Sequence, residues 1–395
     1  MPSRILYVSY DGMLEPLGQS QVLAYLEKLA PGREIHLISF EKPRDWSDTQ
    51  HRSAVEQRIA RAGIHWHPFR YRNRPRIVAA VYNLIRASLS AVVIAFRHRI
   101  TIFHARNILC SAMCLPAVLL RRGKLISDIR GFWPDERVDA RLIPGGGAVY
   151  RVLKVIERAA LRSSAQIVTL TKASVPILER DPGFGTPKAP ICVIPTCVDS
   201  DRFRPIGHSA APFVLGYVGS FGTWYMLEET VALFAAVLRQ NPDARFLIVN
   251  RHEHETIHAA LLRHSVPAAS FEIRSTLHSE VPALIGRMSA AACFVRPQFS
   301  KISSAPTKFA EYLACGVPVA ATAGVGDLAE IVRENRVGIA ANRLDMNEVN
   351  EIAAELLKLG GDSDIRKRCR AVAEKLFSLE SGVERYRSIY DRLSA

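Results

Sequence analysis

The stretch Arg296–Thr322 reads RPQFSKISSAPTKFAEYLACGVPVAAT and predicts a loop, a helix, a sharp stop and a buried strand. Pro306 suits the first helical position, where its missing N–H is not needed, and Ser303 and Ser304 precede it as candidate caps. Gly316 fits the left-handed position that ends a helix, and the proline two residues later prevents the helix from resuming. The apolar run that follows is typical of a strand covered on both faces, so the stretch indicates a parallel sheet.

The polar face of this predicted helix has the chemistry of a nucleotide site. The first turn of a helix carries unpaired N–H groups and a partial positive charge, which favours a phosphate beside Thr307 and Lys308. Glu311 lies one turn further along, where a carboxylate can accept both hydroxyls of a ribose. The alternative is a solvated face with an ordinary Lys308–Glu311 pair, which is common on helices. Composition alone does not separate these two interpretations.

The sequence PTKFAEYLACGVPV, residues 306–319, resembles the C-terminal signature of the family 4 retaining glycosyltransferases, E-x7-E-A-x-A-x-G-x-P-V. Glu311 corresponds to the second Glu of that signature, which the resemblance implies holds the nucleotide ribose. Ser303 stands in place of the first Glu, which contacts a sugar hydroxyl in the family. Ser303 keeps a hydroxyl group but carries no charge, so the chain departs from the family at the donor sugar.

The alternation of strand-like and helical patterns along the chain predicts an α/β protein with parallel sheets. At 395 residues the chain is long enough for two domains. The resemblance implies two Rossmann-like domains facing a cleft, the GT-B arrangement. We expect an N-terminal acceptor-side domain over residues 1–205, a nucleotide-sugar-binding domain over residues 206–380, and a C-terminal helix, residues 381–395, that returns to the first domain.

Loops of the first half hold further candidate site residues. Gly18 lies where the resemblance implies a glycine loop that faces the donor, with an ordinary strand-to-helix turn as the alternative. Arg130 stands where the family has a His at the donor sugar; it suits a phosphate or a hydroxyl but is a poor general base. Asp135 and Glu136 are the nearest acids and are expected to serve the acceptor, with favourable acids at a helix N-terminus as the alternative.

The second half departs from the family at two phosphate-binding cations. The turn after the predicted strand 213–218 has Ser220 where the family usually has Arg, and Tyr225 near the position of a Lys. Other residues are therefore expected to bind the donor: Gly219, Ser220, Gly222, Thr223, Arg296, Lys301, Ser304 and Thr307, together with Glu311 and Gly18. Arg130, Lys308 and Ser303 are the predicted catalytic residues.

The net charge of +14 is confined to the first half of the chain. Residues 1–205 hold 31 Lys and Arg against 17 Asp and Glu, whereas residues 206–395 hold 21 of each. This asymmetry favours an anionic partner: membrane headgroups, a lipid pyrophosphate or nucleic acid. The Arg70–Arg76 run contains four arginines and precedes an apolar helical pattern over residues 77–99. Arg86 near its centre would cost about 2.5–3.5 kcal/mol in a bilayer, so we expect the helix either to lie on an anionic membrane or to pack in the core, and not to span.

Seven scattered cysteines show no CxxC and no Cys/His spacing typical of zinc, which indicates reduced thiols in a cytosolic protein. The N-terminal residues enter a strand directly, so no secretory signal is expected. We interpret Asp199-Ser200-Asp201 as a structural turn and not as a metal-binding DxD motif. The prediction is therefore a cytoplasmic protein, peripheral on the inner face of the cell membrane, that uses no metal and no cofactor besides its nucleotide-sugar donor.

The predicted function is the transfer of a sugar from a nucleotide diphosphate sugar to a hydroxyl acceptor, with retention of anomeric configuration as the family implies. The basic first half favours a lipid-linked glycan acceptor in bacterial surface polysaccharide assembly. Catalysis is then expected from positioning and from positive charge at the departing phosphate. The alternatives are a GT-B nucleotide-sugar epimerase, an inactive member of the family, and a basic nucleic-acid-binding protein. The nucleic-acid-binding alternative is disfavoured because the sequence shows no nucleic-acid recognition motif.

Overall fold

The computed structural model describes residues 3–72, 74–206, 212–277 and 279–395, and it divides into two compact units. The first comprises Met1–Pro195 with Glu380–Ala395, and the second comprises Thr196–Leu379. The boundary lies after Pro195 and not after residue 205 as we expected. The reason is local: Thr196 Oγ1 donates a hydrogen bond of 2.7 Å to the carbonyl of Ala305, which fixes the linker to the second unit.

Each unit is built on one parallel sheet. The strands in chain order are β1 Ser3–Ser9, β2 Arg33–Glu41, β3 Ile64–Arg70, β4 Ile102–Arg106, β5 Lys124–Asp128, β6 Ser164–Thr169, β7 Ile191–Val193, β8 Val214–Val218, β9 Arg245–Val249, β10 Phe271–Arg274, β11 Ala290–Cys293, β12 Val319–Thr322 and β13 Gly338–Ala341. The first sheet has the order β3-β2-β1-β4-β5-β6-β7 and the second β10-β9-β8-β11-β12-β13. Apart from β7, both follow the doubly wound Rossmann order, which reverses direction between β1 and β4 and between β8 and β11.

The helices are amphipathic or apolar segments that connect successive strands. In chain order they are α1 Pro16–Gly18, α2 Ala24–Leu29, α3 Pro43–Ser47, α4 Thr49–Arg61, α5 Arg76–Arg97, α6 Ile108–Arg121, α7 Trp133–Asp139, α8 Ala148–Arg162, α9 Val175–Arg180, α10 Leu227–Gln240, α11 His254–Arg263, α12 Val281–Gly286, α13 Thr307–Ala314, α14 Leu328–Asn335, α15 Met346–Gly361, α16 Ile365–Phe377 and α17 Leu379–Ser394. A π-helical turn, Gln19–Leu23, lies between α1 and α2, and a 3-10 helix, Phe299–Ser303, precedes α13.

The core of the second unit lies on both faces of its sheet. Alternate residues of β9 enter different clusters: Leu247 and Val249 pack on one face, and Phe246 and Ile248 on the other. A strand buried on both faces needs apolar residues at every position, which explains its continuous apolar run. This arrangement leaves the carboxyl ends of β8 and β11, where the strand order reverses, as the position for a ligand.

Residues 296–322 form the predicted helix and strand, but the start of the helix is not capped as predicted. Gly316 adopts a φ of +79° just past the end of α13, and β12 follows. Pro306 is the residue before the helix and not its first residue, and no side chain caps this end. Ser303 lies in the preceding 3-10 helix, where its hydroxyl donates to the carbonyl of Ser300 at 3.0 Å. The prediction that Ser303 and Ser304 cap the helix was therefore wrong, because Pro306 occupies the N-cap position and Ser303 belongs to the preceding 3-10 helix.

The long helix α5 packs a row of alanines and Ile94 against the core of the first unit and leaves other large apolar residues exposed. Ala87, Ala91 and Ala95 are fully buried. In contrast, Ile85 is 52% exposed and Leu89 64% exposed. The prediction that the helix packs in the core is therefore wrong for the exposed stripe formed by Ile85, Leu89, Val93 and Phe96, which we call the α5 stripe. Within the described residues, the segment Val78–Arg97 is one helix that is long and apolar enough to cross a membrane, judged by length and composition only.

Candidate active site

Lys308 forms the centre of the candidate site in the second unit. It is the second residue of α13 and only 7% exposed. Its Nζ donates a hydrogen bond of 2.8 Å to Tyr217 Oη at the end of β8, and lies 4.0 Å from the Tyr217 ring centre and 3.5 Å from that of Tyr225. Two aromatic faces stabilise an ammonium group by cation–π attraction, so the position suits a cation that is withdrawn from water.

The absence of a side chain at Gly219 leaves space beside this amine. Gly219 follows β8 with a φ of +102°, and a Cβ there would lie 3.3 Å from Lys308 Nζ. Burial lowers the pKa of Lys308 to about 7. At neutral pH the amine is thus partly uncharged, and an anion bound beside it would restore the full charge.

Glu311 lies one turn further along α13 and is also 7% exposed. Burial raises the pKa of its carboxyl to about 7, while the charges of Lys308 and Arg202 oppose that shift. Among the described residues, no side chain or backbone group donates a hydrogen bond to this carboxylate, and no ion pair joins it to Lys308. The face that we treated as a possible solvated pair is therefore buried, and its carboxylate retains its capacity to accept hydroxyl groups.

A carboxylate that the sequence analysis missed organises the loop after β8. Glu253 accepts hydrogen bonds from the backbone N–H of Phe221 at 2.8 Å and of Gly222 at 2.9 Å. Asn250, at the end of β9, donates to Glu253 Oε2 at 2.7 Å and to the carbonyl of Gly219 at 3.0 Å. Burial raises the pKa of Glu253, but these hydrogen bonds outweigh it and hold the pKa below its usual value.

We call these hydrogen bonds of Glu253 and Asn250 to the loop after β8 the Glu253 clamp. The clamp changes the expected role of that loop. The N–H groups of Gly219 and Gly222 were predicted to face a phosphate, but the first donates to the carbonyl of Val249 and the second to Glu253. Those two N–H groups therefore already donate hydrogen bonds within the protein. Ser220 and Thr223 are exposed at the tip of the loop, where they remain candidates. The clamp had no sequence signal, since Glu253 lies on a different loop and matches no motif.

The remaining predicted donor residues lie on the segment that joins β11 to α13. Lys301 is buried, with its Nζ 3.7 Å from the Trp224 ring centre. Arg296 is exposed, and its backbone N–H donates to the carbonyl of Trp224 at 2.8 Å, which holds this segment beside the loop after β8. Ser304 and Thr307 are half-buried, and Ser303 is fully buried. The structure thus brings both segments together at the carboxyl ends of β8 and β11.

Of the candidates in the first unit, Asp135 is held in a buried network and not directed at a free site. Its Oδ1 accepts from Tyr150 Oη at 2.7 Å and its Oδ2 from Lys154 Nζ at 3.2 Å. Lys154 also pairs with Glu157, whose pKa burial raises to about 7. Glu136 lies in the first turn of α7, where the partial positive charge of the helix N-terminus favours an acidic side chain. Asp135 lies in the same first turn, as in the alternative that we gave of favourable acids at a helix N-terminus, and its two side-chain contacts are with residues of α8.

Gly18 and Arg130 also have clear local roles. Gly18 is buried in α1, and a Cβ there would lie 1.9 Å from the carbonyl oxygen of Gly12. Arg130 pairs with Asp128 Oδ1 at 3.3 Å just after β5. Tyr386 of α17 donates to the other oxygen of Asp128 at 3.0 Å. Burial raises the pKa of Asp128, yet the charge of Arg130 and the contact with His104 more than offset this, so the carboxylate stays ionised.

The Asp199 turn is structural, as the sequence indicated. Asp199 Oδ1 accepts the backbone N–H groups of Asp201 at 3.0 Å and of Arg202 at 3.2 Å. An acid that closes its own turn in this way is a common turn device. The carboxylate therefore has a sufficient explanation without a metal ligand role.

Comparison with known proteins identifies the second unit. Residues 212–362 match the family model described as "Glycosyl transferases group 1". This part of the second unit matches a glycosyltransferase group 1 domain. The glycosyltransferase domain contains Gly219, Glu253, Lys308 and Glu311, so the site described above lies within the matched region. No protein of the curated set matches the chain in sequence.

Several solved structures are similar to the whole chain in fold. Sucrose-phosphate synthase from Thermosynechococcus elongatus matches with a TM-score of 0.71 at 14% identity, covering 99% of each chain. HepE from Anabaena, solved in complex with UDP and glucose, matches with a TM-score of 0.66 at 15% identity, also covering 99% of each chain. WaaG, a glycosyltransferase involved in lipopolysaccharide biosynthesis, matches with a TM-score of 0.60 at 14% identity, covering 98% of this chain and 99% of that chain.

These findings confirm the expected fold class, two Rossmann-like α/β domains of the GT-B type. Together with the domain match they confirm the expected enzyme class, a glycosyltransferase. At 14–15% identity the structural likeness shows the fold alone. Membership of family 4, the donor, the acceptor and the stereochemical course stay predictions.

Proposed function

We propose that this glycosyltransferase moves the sugar of a nucleotide diphosphate sugar to a hydroxyl group of a lipid-linked glycan, at the inner face of a cell membrane. The observation that carries the proposal is the pair Lys308 and Glu311, both buried on α13, with Lys308 beside Gly219. A buried structural ion pair would be closed by direct contact, because unpaired buried charge is costly. Here the amine and the carboxylate stay apart, which fits a diphosphate and a ribose bound one helical turn from each other.

The proposed chemistry follows from charge at the departing phosphate. The first turn of α13 supplies unpaired N–H groups, and Lys308 supplies a full positive charge once an anion is bound. Both interactions strengthen as the leaving diphosphate gains negative charge, so they favour the transition state over the ground state. The proposed reaction retains the anomeric configuration, with the leaving diphosphate accepting the proton of the acceptor hydroxyl on the same face. It needs no metal and no further cofactor, since the protein supplies the positive charge.

The donor to test first is a UDP sugar. HepE, which shares the fold, was solved with UDP and with UDP-glucose. The proposed contacts of Glu311 and Lys308 are with the ribose and the phosphates, which all nucleotide sugars share. The base must therefore be identified by experiment.

The exposed face of α5 supports a membrane-bound acceptor. Ile85, Leu89 and Val93 expose 52–64% of their surface at helical spacing, and Phe96 continues the same stripe. The stripe extends onto α6, because Arg121 of α6 stacks on the Phe96 ring at 5.3 Å and is preceded by two exposed leucines. Large apolar residues beside exposed arginines, within a half that carries the whole net charge, are typical of helices that lie in an anionic membrane interface.

Thermal denaturation against UDP, GDP, TDP and ADP tests the donor site. A ligand at 100 times its dissociation constant stabilises the native state by about 2.7 kcal/mol, which gives a clear rise in melting temperature. We expect the rise with one of the four, and its loss in Glu311→Gln. Glu330→Gln, an exposed acid on α14 of the same domain, is the matched control and should keep the rise. No rise with any diphosphate would refute the assigned nucleotide site.

Product analysis separates transfer from the alternatives. The protein is incubated with the nucleotide sugar of the diphosphate that raises the melting temperature, with and without a lipid-linked acceptor. The nucleoside diphosphate should be released only when the acceptor is present. An altered sugar formed without acceptor would instead indicate an epimerase. Binding without any turnover would indicate an inactive member of the family.

Vesicle flotation tests the membrane surface. We expect the full chain to float with anionic vesicles and to float much less with neutral ones. Introducing charge by the double change Ile85→Asp and Leu89→Asp should abolish flotation, whereas Leu262→Asp should not, although Leu262 is 75% exposed on the other unit. Equal flotation of all three proteins would refute this docking surface.

A further inference from the structure

Four histidines gather on one face of the first sheet, far in sequence from the predicted catalytic residues. His36 lies on β2, His65 and His67 lie on the neighbouring strand β3, and His98 ends α5. The ring centres of His36 and His98 are 4.1 Å apart, and those of His36 and His65 are 4.7 Å apart. The parallel register places His36 opposite His65 and Ile38 opposite His67, so both β3 histidines share the face of His36.

A carboxylate completes this cluster. Glu34 precedes His36 by two residues on β2 and therefore points to the same face. Its Oε1 lies 3.2 Å from His36 Nε2 and 3.5 Å from His98 Nδ1. The other oxygen, Oε2, lies 3.2 Å from Arg4 Nε, which fixes the orientation of the carboxylate. Two imidazole nitrogens thus converge on one oriented oxygen.

We propose that Glu34, His36 and His98 form a binding site for a divalent transition-metal ion, of which Zn²⁺ is the natural candidate. One ligand atom from each residue lies within 4.8 Å of the other two. A tetrahedral zinc site with ligand distances of about 2.0–2.1 Å has edges of about 3.4 Å, close to the two separations measured to Glu34 Oε1. Two histidines and one carboxylate are a ligand set that zinc accepts, with the remaining position open to water.

His67 supports the site from behind. Its Nε2 lies 3.0 Å from His36 Nδ1, the nitrogen that faces away from Glu34. Metal-binding histidines usually donate their second N–H to a carboxylate, a carbonyl or water, which orients the ring; here the imidazole nitrogen of His67 stands in that position. His36 is 1% exposed, so packing holds its ring in this orientation.

The side chains of Glu34 and His98 remain 28% and 32% exposed, so an ion can enter from solvent. A metal there would join the C-terminal end of α5 to β2, the strand next to the edge of the first sheet. It would therefore stabilise the helix whose exposed face is described above. The site lies in the first unit and takes no part in the proposed sugar transfer, which needs no metal.

Calorimetric titration of the full, tag-free and chelator-treated chain with Zn²⁺ alone tests the inference. We expect binding of one ion per chain and a rise in melting temperature on addition of Zn²⁺. His98→Ala should weaken binding by at least about tenfold, since even removing a supporting residue of a metal site costs about 10–100-fold. Glu34→Gln keeps the shape of the side chain and should weaken binding similarly, which guards against a folding defect in the first variant.

A second His–Glu pair provides the control. His264 Nε2 lies 3.1 Å from Glu228 Oε2 on the surface of the other unit, without a third ligand. His264→Ala should bind Zn²⁺ as the unmodified chain does. The inference is overturned if the unmodified chain binds no stoichiometric ion, or if His98→Ala and Glu34→Gln both bind Zn²⁺ with unchanged affinity.

Discussion

The affinity of this protein for a nucleoside diphosphate should fall steeply as the pH rises above neutrality. The cause is Lys308, whose amine has its single described hydrogen bond to Tyr217 Oη and whose pKa is lowered to about 7 by burial. A bound diphosphate requires the charged amine, so the pKa of Lys308 in the complex lies above that in the free protein. Binding therefore takes up a proton above pH 7, and proton uptake weakens binding as the pH rises.

The magnitude follows from the fraction of charged amine. With a pKa of about 7, about half of the Lys308 side chains are charged at pH 7 and about 1% at pH 9. Loss of the charge on Lys308 should weaken binding about 50-fold between pH 7 and pH 9, and the completed ionisation of Glu311 should offset about twofold of this. The dissociation constant should therefore increase about 25-fold, equivalent to about 1.9 kcal/mol. Below pH 7 the sign reverses, because Glu311, with its pKa raised to about 7, must lose a proton to accept the ribose hydroxyls. Affinity should therefore be highest near pH 7.

Isothermal titration with UDP, or with the diphosphate that the thermal panel selects, measures this dependence at constant ionic strength. Lys308→Met is the control, because it keeps an unbranched side chain of similar length without the charge. The variant should bind weakly and show a flat profile between pH 7 and pH 9, while any ionisation of the ligand itself contributes equally to both proteins. Parallel profiles for the two proteins would refute the assignment of Lys308 to the phosphate.

Three further changes test the surroundings of the site and of the first sheet. Gly219→Ala places a Cβ 3.3 Å from Lys308 Nζ at a φ of +102°, so stability should fall by about 1–3 kcal/mol and diphosphate affinity should fall with it; an unchanged melting temperature would contradict the strain. Glu253→Gln removes the charged acceptor of two loop N–H groups, so hydrogen exchange at Phe221 and Gly222 should accelerate, and unaltered protection of both amides would argue against the clamp. Tyr386→Phe removes a hydrogen bond to the buried Asp128 carboxylate and should lower the free energy of unfolding by about 1–3 kcal/mol in denaturant titrations, whereas Tyr82→Phe, on the exposed part of α5, should have little effect; equal losses would count against a specific role for the Asp128 contact.

Local signals predicted α13 and its surroundings well. The end of this helix is encoded by Gly316, whose φ of +79° is strained for other residues, and by the proline that follows. The start was less well predicted, because Ser303 ends a 3-10 helix and Pro306 occupies the N-cap position of α13. Sequence likewise indicated the two sheets, since strand periodicity and connection lengths are local properties.

Burial was not predictable from the local pattern. The spacing of Lys308 and Glu311 is that of an ordinary solvated pair, and only packing against β8 and the loop after it reveals that both are withdrawn from water. The α5 stripe gives the opposite case, since its large apolar residues have the periodicity of a core face but remain exposed. Periodicity identifies a distinct face of a helix, and the tertiary structure decides what that face meets.

The sequence by itself determined the two-domain α/β organisation, the helix that carries Lys308 and Glu311, and the uneven distribution of charge, because each depends on residues close together in the chain or on composition. Only the tertiary structure decided the contacts between residues distant in sequence: the Glu253 clamp on the loop after β8, the Tyr386–Asp128 contact, and the convergence of Glu34, His36 and His98. The physical reason is that pattern and propensity act over a few residues, whereas ligand geometry and desolvation depend on the order in which strands assemble into a sheet.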